Sequence, residues 1–172
     1  GPIFSRRFGI SLGIDLSPQK KQCNFDCLYC ELQPPQKGIP RTTANFDEIL
    51  PLEILLENVK EALKIHNNID VFTITANGEP TLYPHLKEFI TQIKPYIPKN
   101  TKSLILSNGS LFGDKNIQDA LKEFDIVKFS LDSISPSFKK IDRPHKSLTI
   151  ENIKDGIRSY AKIRKNMLIC EI

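Results

Sequence analysis

Hydrophobic positions along this chain follow two rhythms that take turns. Ile10-Ser11-Leu12-Gly13-Ile14-Asp15-Leu16 alternates apolar with small or polar residues, the period of a strand. Residues 69–76, 103–106, 126–131 and 167–172 are short, nearly continuous apolar runs. Such runs suit strands buried on both faces, as in a parallel sheet. Between them lie stretches with helical spacing. Leu52, Leu55, Leu56, Val59 and Leu63 share one helix face, and Pro51 suits a first turn. Leu86, Phe89, Ile90 and Ile93 make a second face, and Ile117, Ala120, Leu121 and Phe124 a third. Ile150, Ile153, Ile157 and Tyr160 make a fourth. Residues 31–45 carry neither period and read as a loop. Strand and helix alternate without exception in this reading. The expectation is therefore an α/β fold: one parallel sheet, curved into an incomplete barrel, with its helices outside.

Composition adds limits rather than identity. The 172 residues, 40% of them hydrophobic, suffice for one domain with a sizeable core, and no repeat or second domain is visible. Lys and Arg number 24 against 20 acidic residues, a net charge of +4. That balance is compatible with anionic substrates but is not the strong basicity of a dedicated nucleic-acid binder. No apolar run approaches a membrane span and no targeting segment is visible, so a reducing cytoplasm is the expected setting.

The chemistry concentrates in Cys23-Asn24-Phe25-Asp26-Cys27-Leu28-Tyr29-Cys30, three of the four cysteines within eight residues. The spacing, C-x3-C-x2-C, differs from the C-x2-C pairs of zinc sites and redox dithiols. Three soft thiolates on one loop can converge on a polynuclear iron–sulfur cluster. A cubane has four irons, so three cysteines leave one position open to a small molecule. Other readings compete. Zinc needs a fourth ligand, but His66, His85 and His145 show no ligand spacing. A structural disulfide needs an oxidising compartment. Inert core cysteines fit poorly with Lys20, Lys21, Asn24 and Asp26 as neighbours. Cys170 stands apart on an apolar strand and is expected to pack in the core.

Three further segments also follow expected strands: Asn77-Gly78-Glu79-Pro80, Ser107-Asn108-Gly109, and Ser130 with Asp132. Each alone is an ordinary turn or helix cap. Parallel α/β folds bind ligands at the carboxyl ends of their strands, so all four segments are expected to share one mouth. Glycine there lets backbone approach a ligand, and carbonyls with a glutamate can accept from an ammonium.

The cysteine spacing, with the aromatic Tyr29 just before the last ligand, resembles the cluster loop of the radical S-adenosylmethionine (SAM) superfamily. The resemblance implies a [4Fe–4S] cluster on Cys23, Cys27 and Cys30 whose open iron binds the SAM amino and carboxylate groups. It implies reductive cleavage of SAM to methionine and a 5′-deoxyadenosyl radical that abstracts hydrogen from a substrate. Gly78-Glu79-Pro80 resembles the motif that holds the SAM amino group, with Asn77 where many members carry another glycine. Ser107-Asn108-Gly109 and Ser130-Leu131-Asp132-Ser133 resemble motifs of the molybdopterin-precursor cyclase group, whose hydroxyls contact SAM or substrate. The cofactor-binding residues so implied are Tyr29, Gly78, Glu79, Pro80, Ser107, Asn108, Ser130 and Asp132.

The subgroup most resembled is the bacterial and archaeal proteins related to wyosine-forming tRNA enzymes. Gly1-Pro2, Ser5-Arg6-Arg7, the segment from Phe25 to Glu31, Asn77 to Leu82 and Ile141-Asp142-Arg143-Pro144-His145 carry that resemblance. It makes tRNA a candidate partner beside SAM, and Arg6, Arg7, Arg143 and His145 candidates for a substrate phosphate or carboxylate. A flavodoxin- or ferredoxin-like electron donor is a further implied partner. The implied fold is a partial (β/α)6-type barrel in which residues 1–172 form the radical SAM core. The superfamily usually has six strand–helix units; five strands are visible here, so the core is expected to be incomplete at its C-terminus, truncated after the fifth strand. Two alternatives stand beside a radical enzyme of unknown substrate: a wyosine-synthesis-like tRNA base-modifying enzyme, and a non-catalytic iron–sulfur or zinc module.

Overall fold

A computed structural model describes residues 1–32, 41–135 and 137–171. Residues 33–40 of the expected loop and Ile172 of the expected last strand lie outside the described residues. The strands are β1 (Ile3–Ser5), β2 (Gly9–Asp15), β3 (Val71–Thr75), β4 (Lys102–Ser107), β5 (Ile126–Ser130) and β6 (Met167–Glu171). The helices are α1 (Leu52–Ile65), α2 (Leu86–Ile93), α3 (Lys115–Leu121), α4 (Phe138–Ile141) and α5 (Ile150–Ile163). The strands form one sheet in chain order. The five strands from β2 to β6 pair in parallel. β1 and β6 are the two ends of that order, so the sheet is open, as in a partial barrel. No helix among the described residues is long and apolar enough to cross a membrane.

The expected alternation fails at the start. β1 is antiparallel to β2, with Ile3 opposite Ser11 and Ser5 opposite Gly9. Two strands joined by Arg6-Arg7-Phe8 need no crossover helix, whereas each parallel pair does. Three residues are also too few to display a period. Between β5 and β6 the short α4 precedes α5, a second element that the apolar spacing did not announce.

Side-chain alternation divides the sheet into two faces. Leu12, Ile14, Phe72, Ile74, Ile105 and Val127 join the helices in the main core, against Leu56 and Val59 of α1 and Phe89 and Ile90 of α2. The alternate positions, including Ser11, Gly13, Thr73, Thr75, Leu106 and Lys128, line the other, inner face. Phe8 packs there on Val71, Leu104 and Ile126, at the ends of the strands remote from the cysteine loop. Two helix starts carry side-chain caps. Asp114 accepts from the Asn116 and Ile117 amides at 2.7 and 3.2 Å, and Thr149 from the Asn152 amide at 3.2 Å. Cys170, expected in the core, is exposed on β6, because an apolar run does not reveal which strand will be at the sheet's edge.

Helix α5 approaches the loop after β4 closely. A Cβ at Gly156 would lie 2.5 Å from the Gly113 backbone nitrogen, whereas one at Gly13 would meet nothing within 4 Å. Gly156→Ala is therefore expected to destabilise the fold by about 1–3 kcal/mol, the usual cost of overpacking. Gly13→Ala should be near neutral. Urea unfolding of the two variants checks the contrast.

Candidate functional site at the strand ends

The cysteine loop leaves β2 and is held by backbone on both sides. On one side the Gln22 amide donates to the Asn77 carbonyl at 2.8 Å, and the Glu79 amide to the Gln22 carbonyl at 2.9 Å. Gln22 and Gly78 thereby form a parallel bridge that continues the β2–β3 pairing. Gly78 has φ 140°, and a Cβ there would sit 1.8 Å from the Gln22 carbonyl oxygen, so only glycine fits this seam. On the other side the Asp26 amide donates to the Asp142 carbonyl at 3.1 Å and the Leu28 amide to the Ile141 carbonyl at 2.8 Å. The His145 amide donates to the Asn24 carbonyl at 2.7 Å.

Glu79 joins the third segment to this seam. It is 1% exposed. One carboxylate oxygen accepts from the Thr81 amide at 3.0 Å, the Thr81 hydroxyl at 2.6 Å and the Ser107 hydroxyl at 2.8 Å. The other accepts from the Asn108 amide at 2.7 Å. Burial pushes its carboxyl upward, and these donors pull against that by favouring the charged form. Pro80 opens the short 3-10 turn Pro80–Leu82 and is buried with it. The Asn108 side-chain amide donates to Asn24 at 2.7 Å, and Asn24 donates to the Ser110 hydroxyl at 2.7 Å. The turn after β4 is thus fastened to the cysteine loop.

Tyr29 reaches the fourth segment: its hydroxyl donates to the Asp132 carboxylate. Ser130 ends β5, half-buried and paired in register with Glu171. The structure therefore brings the cysteine loop, Gly78–Pro80, Ser107–Asn108, Ser130 and Asp132 to one rim of the sheet. Arg6 and Arg7 lie instead in the hairpin connection and line the inner face.

The three thiols are free and partly buried, and each has a different neighbour. Cys23 Sγ accepts from the Phe25 amide at 3.4 Å and lies 3.9 Å from the Asn108 side-chain nitrogen. Cys27 donates to Asp142 at 3.8 Å. Lys21 Nζ donates to Cys30 Sγ at 3.4 Å. Burial pushes the Cys23 thiol up to about 12 and the Cys27 thiol up to about 11. Among the described residues no three His, Cys, Asp or Glu side chains gather around one point, as a single ion would require.

Two charged groups here were not singled out by the sequence reading. The Lys21 side chain is 5% exposed, 3.9 Å from Asp26, and Asp26 also faces Arg41 at 3.4 Å and Arg143 at 3.7 Å. Arg143 adopts φ 45°, a conformation side chains rarely take. Asp142 is 2% exposed, and its Oδ2 is buried without a hydrogen-bond partner among the described residues. Burial, followed by the nearby Asp132 carboxylate, pushes its carboxyl up to about 7. The Asp142 contact has no local signal, since it is 115 residues from Cys27. The resemblance at Ile141–His145 was the one pointer to it.

The family model described as the Radical SAM superfamily matches residues 20–170. A UPF0026 protein of Helicobacter pylori (strain J99) is 52% identical over 174 residues, spanning 100% of this chain and 54% of its own length. The chain thus spans about half the length of the curated relatives it matches. Among solved structures, native anSMEcpe with bound AdoMet superimposes with a TM-score of 0.69 at 22% identity, over 93% of this chain and 43% of that one. TYW1 with a lysine-pyruvate adduct bound superimposes at 0.56 and 18% identity, over 90% and 53%. At these identities the two structures speak for the fold.

Asp142 also sets a pH dependence. Its folded value, about 7, lies above the ordinary 3.8, so the folded protein binds this proton more tightly than the unfolded chain. Stability from this group is complete below pH 3.8 and falls as pH rises toward about 7. Asp142→Asn should remove that decline, raising stability most at neutral pH. Chemical denaturation of both proteins between these two limits tests it; an unchanged slope would count against the raised Asp142 carboxyl.

Proposed function

This chain belongs to the radical SAM superfamily, and we propose that Cys23, Cys27 and Cys30 hold a [4Fe–4S] cluster with which the protein cleaves SAM reductively and abstracts hydrogen from a substrate. The observation that carries this reading is the cysteine loop itself. Three thiols project from one segment that is fixed by backbone to the turn after β3 and to residues 141–145. A buried ammonium, that of Lys21, donates to one of the sulfurs. Such a cation is poorly matched to a neutral thiol and well matched to a metal-bound thiolate. The donor set therefore fits the cluster. Held by Cys23, Cys27 and Cys30, the cluster would supply the single electron needed for reductive cleavage of SAM.

The chain's own residues do the rest of the positioning. Gly78 keeps the turn's backbone close against the loop; the Asn77, Glu79 and Pro80 carbonyls already accept backbone amides, so the Gly78 carbonyl is the backbone acceptor for the SAM ammonium in this reading. Glu79 acts one layer further in, since its oxygens already serve the Thr81, Ser107 and Asn108 donors. Tyr29, bonded to Asp132, holds the end of the loop toward the fourth segment. The buried Asp142 Oδ2, without a partner among the described residues, is an acceptor beside Cys27. Exposed Leu28 and Tyr29 on the loop offer a flavodoxin- or ferredoxin-like donor a short path to the cluster.

A tRNA base is the second reading for the substrate. It is favoured by the partly exposed guanidiniums of Arg41 and Arg143 beside the loop, which suit a phosphate backbone. A cluster holder without catalysis is less well supported, because it would not need three further strand-end segments organised around the cysteines.

Anaerobic reconstitution, iron and sulfide analysis, and detection of 5′-deoxyadenosine after chemical reduction test the proposal. Alanine at Cys23, Cys27 or Cys30 should abolish cluster assembly and the product, whereas Cys170→Ala, at an exposed site, should leave both. Full occupancy by zinc in protein purified without oxygen would overturn the reading. Lys21→Met should assemble the cluster but move its potential on the order of 50 mV more negative, about 1 kcal/mol for one electron. Lys21→Arg should restore most of that shift.

A further inference from the structure

The inner face of the sheet encloses a cavity of ≈ 410 Å³ that the cluster site does not use. That is room for a small metabolite-sized molecule. Small side chains make the space: Ser11 and Gly13 on β2, Thr73 and Thr75 on β3. The charged groups that line it are Arg6, Arg7, Lys128 and Glu171, three cations against one carboxylate. Lys128 Nζ lies 2.6 Å from one Glu171 oxygen, and the Arg7 guanidinium bonds the other. Lys128 is only 16% exposed. Phe8, Val71, Leu104 and Ile126 form an apolar floor next to these cations. Low-dielectric walls strengthen the field of an uncompensated charge within a concave site.

Position ties this cavity to the rim. Thr75 ends β3, and the segment 77–80 follows it; Glu171 is paired with Ser130, the last residue of β5. A ligand in the cavity would therefore lie directly under the mouth that holds the cysteine loop.

The geometry points to an anion site: the cavity takes the carboxylate or phosphate of a small substrate, which Arg7 and Lys128 bind in competition with the resident Glu171. The threonine and serine hydroxyls orient the ligand, and Leu104 and Leu106 face its carbon-bound hydrogens. This assignment names the substrate class for the radical chemistry proposed above and rests on that reading for its catalytic meaning. The binding itself does not depend on it. The bland alternative is a staple, in which Glu171 merely fastens the Arg6–Arg7 connection to β6.

Glu171→Gln separates the two. A staple would lose stability and gain no affinity for anions, whereas the anion site should bind more tightly once its internal competitor is neutral. The experiment titrates the metal-free chain with inorganic phosphate and, separately, with acetate at constant ionic strength. Backbone amide shifts of Thr73, Thr75 and Lys128 are the readout. Saturable shifts with either anion are expected, and the one saturating at lower concentration identifies the group recognised. Arg7→Met and Lys128→Met should each weaken binding about tenfold, the worth of one charge-assisted hydrogen bond. Glu171→Gln should tighten it by a similar factor. No saturable shift with either anion, or weaker binding in Glu171→Gln, would overturn the assignment. Since neither cluster nor SAM is present, these results stand or fall apart from the deoxyadenosine assay.

Discussion

The mouth of this sheet depends on one buried carboxylate. Removing Glu79 from water would be costly if its charge were left without donors. The four donors that meet it come from two different strand ends: Thr81 twice after β3, Ser107 and Asn108 at the end of β4. Satisfying that charge obliges the two turns to keep a fixed separation. Asn108 passes the constraint on through Asn24 to the cysteine loop, and the Gln22–Gly78 seam closes the circuit. The thiols are thus placed from beneath, by a buried polar network, rather than by the loop's own turns.

Around the loop the charges are unevenly distributed. Lys21, Arg41 and Arg143 face Asp26, and Lys21 also meets Cys30, while Asp142 meets Cys27 and has its carboxyl raised in part by Asp132. The Cys30 and Cys27 thiols therefore sit beside a lysine and an aspartate respectively.

The sequence made the periodic parts of this molecule legible and left its contacts dark. Helices α1, α2, α3 and α5 and the five parallel strands follow from spacing, because burial of one face imposes a repeat. Segments placed at strand ends could be grouped for the same reason. Strand β1 was invisible because three residues carry no period. Glu79 was readable as polar and near the ligand, but its inward direction depends on Ser107, 28 residues away. Lys21 and Asp142 are ordinary surface residues by type, and only the fold buries them. Cys170 was misjudged because apolar character reports strand formation, and edge or centre is decided by the order of the sheet.

The backbone seams of the cysteine loop have a consequence for how such a protein matures. Gln22 finds its partner at Asn77, and Asp26 finds its own at Asp142. Contacts of such sequence separation form late, after the intervening units have wound up. A zinc finger is folded by its metal; in this chain the cysteine loop is held by the polypeptide's own backbone bonds. Any cofactor the loop takes would therefore enter a site already shaped, at the end of folding rather than at its start.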